Sequence, residues 1–145
     1  MKKRIIFLVL LLSIIIISII NYKPKIYKWS YSLPNHYYVG KIDKDNVILG
    51  KYVNNKLTIE KDGKIIGISE YIEAFSYQNN YIFIRSLTND NELKLNYYIV
   101  DSKLEVIYGR YDLDAFNEKV SSLELSNDIN WLKSADFEKD RWENI

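Results

Sequence analysis

Three patterns of apolar residues succeed one another along the chain. The first is an almost unbroken run over residues 5–20, IIFLVLLLSIIIISII, interrupted only by Ser13 and Ser18. The second is a series of short alternating runs separated by turn residues. In IYKWSYSL, Tyr27, Trp29, Tyr31 and Leu33 fall on one side of a strand, and Pro34-Asn35 ends it. YYVGKI, the turn Asp43 to Asn46, and VILGKYV follow, and Asn54-Asn55 then separates VILGKYV from KLTIEK. Asp62-Gly63 turns the chain into KIIGI, as suits a type I′ turn with its two positive φ angles. Asn79-Asn80 lies between YIEAFSYQ and YIFIRSL, Asn89 to Glu92 reads as a loop, and KLNYYIVD and EVIYG flank a turn over Ser102-Lys103-Leu104. The spacing predicts seven to nine strands in an antiparallel meander or sandwich.

The third pattern is helical. In DLDAFNEKVSSLEL, Leu113, Phe116, Val120 and Leu123 recur every three or four residues, which predicts one short amphipathic helix near 112–124 packed on the sheet. Asp112 suits its N-cap, and Asp114 its dipole-favoured first turn. The remaining residues, 126–145, are acidic, with Trp131, Phe137 and Trp142 as their large apolar groups, and predict a tail or a second short helix from Ser134.

The opening run poses a question of length. At 1.5 Å per residue its 16 residues span about 24 Å, short of the roughly 30 Å hydrocarbon core. Tyr22 at the interface and snorkelling Lys2, Lys3, Lys23 and Lys25 close most of that gap. Signal peptidase requires small residues at the last and third-last positions before its cut, and the run ends Ser18-Ile19-Ile20-Asn21-Tyr22 without such a pair. Residues 1–22 are therefore expected to be an uncleaved anchor and 23–25 a stiff Lys-Pro-Lys spacer, with 26–125 forming the β-rich domain. The short basic N-terminal flank favours an inside N-terminus and a domain on the outer side. Lys23, Lys25 and Lys28 then rest on lipid headgroups, completing a membrane contact that starts with residues 5–22.

Composition refines this picture. The chain is 48% hydrophobic and 27% charged, which is globular rather than disordered, and its 13 Tyr favour strands. The net charge of +1 hides a drift. Residues 21–66 carry nine Lys against Asp43, Asp45, Glu60 and Asp62, whereas 112–145 carry nine acidic groups against four basic ones. No nucleic-acid partner is expected, because only the membrane-proximal part leans basic. The absence of cysteine removes disulfides, thiolate nucleophiles and lipidation of an N-terminal cysteine.

Three stretches resemble a family of small exported proteins of Gram-positive bacteria, usually lipoproteins, that share a domain of unknown function. They are YSLPNHYYV (31–39), YIFIRS (81–86) and NYYIVDSKLEVIYGRYDLDAFNEK (96–119), within a similarity running over residues 31–125. The resemblance implies an envelope location and a β-rich domain, and no activity. This chain departs from it in having no lipid-bearing Cys, and in having Gly109-Arg110 where Gly-Pro is expected.

Catalytic chemistry finds little support. His36, the single histidine, is expected to be an exposed turn residue, and no Gly-x-Ser-x-Gly elbow is present. One histidine without cysteine argues against zinc, and no cofactor is expected. Glu70 with Glu73, and Asp101 with Glu105, are the carboxylate pairs that would suit a hydrolase if one pKa were raised by burial. Asp43-Lys44-Asp45-Asn46 lacks the Gly and distal Glu of a calcium loop. The tyrosines are the better candidates: Tyr37, Tyr38, Tyr71, Tyr77, Tyr97 and Tyr98 form a possible aromatic contact surface for a glycan or peptide. One member of each adjacent pair is expected in the core, because neighbours on a strand point to opposite faces. The expectation is a non-enzymatic, membrane-anchored interaction module whose partner is a protein or an envelope polymer. The alternatives are an immunity or regulatory protein neutralising a partner at the membrane, and a carboxylate-dependent hydrolase.

Overall fold

The computed structural model describes residues 29–90 and 92–139. The expected anchor (1–22), the spacer, Lys28, Tyr27 and Trp142 lie outside the described residues. Among the described residues no helix is long and apolar enough to cross a membrane.

Among the described residues eleven strand segments form antiparallel sheets, and a helix of ten residues lies between the last two strands in sequence. The first sheet has the order β1 (Ser30–Leu33), β2 (Tyr37–Lys41), β3 (Val47–Val53), β4 (Lys56–Thr58). A two-stranded hairpin, β5 (Glu60–Lys61) with β6 (Lys64–Ile65), follows. The second sheet contains β7 (Tyr71–Gln78), β8 (Tyr81–Asp90), β9 (Glu92–Asp101), β10 (Val106–Tyr111) and β11 (Leu132–Lys133), in the order β10-β9-β8-β7-β11. Among the described residues the longer helix, α1 (Leu113–Ser122), and a short turn, α2 (Asp136–Lys139), complete the fold.

Local chemistry accounts for the hairpins. Asp62 (φ 52°) and Gly63 (φ 77°) both occupy the left-handed region, as the I′ expectation requires. Asn54, Asn55 and Asn79 take positive φ at their turns, where a short amide side chain tolerates it. Asp43 Oδ1 accepts from the backbone N–H of Asp45 and of Asn46, each at 2.9 Å, so the DKDN stretch is a self-capped turn. The segment 89–92 is not the loop expected from its composition. β8 runs to Asp90 and β9 starts at Glu92, pairing Asn89 with Leu93 and Asp90 with Glu92, because the ladder continues to supply backbone partners. KLTIEK is likewise not one strand, since its halves pair separately as β4 and β5.

The second sheet is covered on both faces. Leu33, Tyr37, Val39 and Leu49 of the first sheet pack against Ile72, Phe75, Ile82, Ile84 and Val100 of the second. Trp29 and Tyr31 join this core, as the alternation in β1 predicts. On the opposite face Phe83, Tyr97 and Ile99 meet Phe116 and Val120 of α1. Asp112 caps α1 by accepting from the Ala115 N–H at 2.9 Å. The described part of the tail packs on the domain: β11 pairs with β7, and Phe137 stacks on Trp29 at 5.2 Å.

Candidate functional site

Edge position and strand alternation build the site. β10 is the outermost strand of the five-stranded sheet, and its first residues face the β5–β6 hairpin across an open groove of about 530 Å³. Lys64, Ile65 and Gly67 to Glu70 form one wall, Glu105, Val106 and Ile107 the other, and Tyr98 lies between them. Ile65 is 65% exposed and Val106 37%, so the walls present apolar side chains to solvent.

Both carboxylates of the groove are engaged. Glu70 accepts from Ser86 Oγ at 2.5 Å and Asn96 Nδ2 at 3.4 Å, takes the Tyr98 hydroxyl, and pairs with Arg110 Nε at 3.4 Å. Glu105 receives Lys51 Nζ at 2.6 Å, and the same ammonium lies 4.6 Å from the centre of the Tyr37 ring. The Lys51 hydrogen bond holds the Glu105 carboxyl below its ordinary range, aided by the charges of Lys51, Lys61 and Lys64. Burial, then the charges of Glu105 and Asp101, push the Tyr37 phenol up to about 12. Burial, then the hydrogen bond and charge of Glu70, raise Tyr98 to about 12.

These two raised phenols make the fold less stable as pH rises through their range. A raised folded-state pKa means that the folded chain holds the proton more tightly, so its stabilisation is complete below pH 10 and is lost as pH rises to 12. For Tyr37 a shift of this size corresponds to about 3 kcal/mol. Its hydroxyl is buried without a hydrogen-bond partner among the described residues. Tyr37→Phe should therefore cost little at pH 7 and flatten the fall in urea-unfolding free energy between pH 9.5 and 11.5; an unchanged slope would refute this assignment.

Of the carboxylate pairs expected for hydrolysis, Glu70 and Glu73 take different partners, whereas Asp101 and Glu105 both act on the Tyr37 phenol. Glu73 is bound by Arg85 at 2.5 Å, and Arg85 lies over the Trp131 ring on the helix-bearing side. Glu70 instead binds Ser86, the next residue of β8, which points to the opposite face. Three residues apart along an extended chain, the two glutamates point to opposite faces by ordinary alternation. Asp101 Oδ1 accepts from the N–H groups of Lys103 and Leu104 at 3.0 Å each and shapes the β9–β10 turn. His36 is exposed in a turn over Pro34–His36. Neighbouring Asn35 bridges the two sheets, donating to Ser102 Oγ at 2.8 Å and Asn80 Oδ1 at 3.2 Å.

The six tyrosines do not gather on one platform. Tyr37 and Tyr97 are buried in the two separate cores. Tyr38 is half-buried and meets Tyr52 edge-on at 4.9 Å on the outer face of the first sheet. Tyr71 packs against the inter-sheet core, Tyr77 is exposed, and Tyr98 alone lines the groove. Sequence reading missed Lys64, Ile65 and Val106. Their nearest signal was the apolar residue in each of two short strands flanking turns, which does not reveal that the strands face each other.

No curated protein and no solved structure significantly matches the chain. A family model does match, over residues 34–136, from the turn after β1 to the first residue of α2. The chain belongs to that family, described as Protein of unknown function (DUF3997).

Proposed function

We propose that this protein is a membrane-anchored domain on the outer side of the cell membrane, acting as a non-catalytic interaction module at the envelope. The observation that carries the binding role is the groove between β6 and β10, where Ile65 and Val106 stay exposed while Glu70 and Glu105 are neutralised by Arg110 and Lys51. Pairing with a cation favours the ionised carboxylate, the opposite of what a general acid needs. The apolar run at 5–20 and the lysines after it support the anchor and its orientation. Protease treatment of intact, wall-stripped cells, followed by blotting for the C-terminus, tests the placement. Loss of a full-length membrane-associated band is expected. A protected full-length band would put the domain in the cytoplasm, and a shorter secreted band would mean that the run is cleaved.

A second reading has its own support. Asp114, Glu118, Glu124 and Asp128 are exposed on and just after α1, an acidic surface suited to neutralising a basic partner. Such binding would weaken steeply with added salt. A hydrolase role would be refuted by full function in Glu73→Gln and Asp101→Asn.

A further inference from the structure

An edge strand exposes backbone N–H and C=O groups that a further strand can pair, and folded proteins usually cover or charge such an edge. β10 is an edge of this kind: among the described residues no strand pairs with its outer side. The groove of about 530 Å³ runs along Glu105 and the first two residues of β10, Val106 and Ile107, and β6 with the chain after it lines the other side. Exposed Ile65 and Val106 offer apolar contacts on the two walls. The lining of the groove carries Lys64 beside Glu70 and Glu105, and Arg110 and Lys51, which lie next to it, pair with those two carboxylates.

We infer that the groove receives an extended segment of a partner protein, which adds to the outer edge of β10 as a further strand. Apolar side chains at alternate positions pack against Ile65 and Val106, and an acidic side chain faces Lys64. The backbone supplies affinity and the alternating side chains supply specificity, since successive residues of a strand point to opposite faces. This rests on the interaction-module reading and specifies the chemistry of its partner.

The test uses the full-length chain in lipid nanodiscs and a phage-displayed library of random dodecapeptides. Recovered peptides should alternate apolar residues and carry an Asp or Glu. Ile65→Asp and Val106→Lys should each weaken their binding about tenfold, a usual loss at a central contact. Lys64→Glu should weaken peptides with a carboxylate more than their amide counterparts. N-methylation along a bound peptide should abolish binding at alternate positions only, because only every second N–H faces β10. Circular dichroism melts confirm that the two wall variants remain folded. Binding unchanged in both variants, or N-methylation that is harmless or harmful at every position, would overturn strand addition. If such peptides instead lose binding on Tyr52→Ala, at the outer face of the first sheet, the module reading stands and the groove assignment falls. If no peptide is recovered, both fall.

Discussion

Gly67→Ala is expected to destabilise the folded domain by about 3 kcal/mol, the upper end of the usual cost of overpacking. A Cβ built on Gly67 would stand 2.1 Å from the Leu49 carbonyl oxygen and 3.1 Å from the Cα atoms of Gly50 and Ile59. Every one of those atoms is backbone, so no rotamer change relieves the collision. The segment cannot simply move away, because it is held by backbone bonds from Ile68 N to Leu49 O at 2.9 Å and from Ile66 N to Ile59 O at 2.8 Å. Those bonds carry the chain from the first sheet into the second, so the cost falls where the two sheets join. Gly63 provides the control. A Cβ there meets nothing within 4 Å, but its φ of +77° penalises an L-residue by roughly 1–2 kcal/mol. Urea unfolding of the two variants, with unchanged m-values, should rank Gly67→Ala as the more damaging. Equal losses would mean that the junction is more compliant than its hydrogen bonding implies.

Phe116→Ala is expected to cost about 3–5 kcal/mol, as for a large buried ring with little room to collapse. Phe116 is 1% exposed and lies 5.1 Å from the Tyr97 ring, 6.0 Å from Phe83 and 6.1 Å from Trp131, centroid to centroid. It therefore ties α1 to β8, β9 and the segment before β11. The helical spacing also assigns Leu113 to the buried stripe, but the structure leaves Leu113 51% exposed. It stands in the first turn, directly after the Asp112 cap, and is absent from the cluster that Phe116 and Val120 form with the sheet. Leu113→Ala should thus stay within about 0.5 kcal/mol of the wild type. Thermal unfolding followed by circular dichroism checks both substitutions. A loss below about 1 kcal/mol for Phe116→Ala would show that the helix layer contributes little to the cooperative unit.

The candidate site was less legible than the strands. Glu70 and Arg110 are 40 residues apart in the sequence, and Lys51 and Glu105 are 54 apart. Each is an ordinary surface-type residue in its local stretch. Nothing in EVIYG marks it as an edge strand, and nothing in KII places it across a groove. The tyrosine pairs were half legible. Alternation separates Tyr37 from Tyr38 and Tyr97 from Tyr98, and the second members are half-buried, Tyr38 against Tyr52 of the same sheet and Tyr98 in the groove beside Glu70.

The sequence by itself determined the local elements of this protein. Asp62-Gly63, Asn54-Asn55 and Asn79 turn the chain because their own side chains, or the lack of one, tolerate positive φ. Trp29, Tyr31 and Leu33 face the core because a strand alternates, and α1 starts where Asp112 can accept from the Ala115 N–H. Only the tertiary structure decided that β8 and β9 pair as far as Asp90 and Glu92, that β11 adds to β7 at one edge of the second sheet, and that β10 forms the other edge. The physical reason is range. Turns, caps and alternation act over two to four residues and are written in neighbouring side chains. Edges, grooves and ion pairs depend on which backbone comes to lie beside which, and that is settled only when the two cores close on the same sheet.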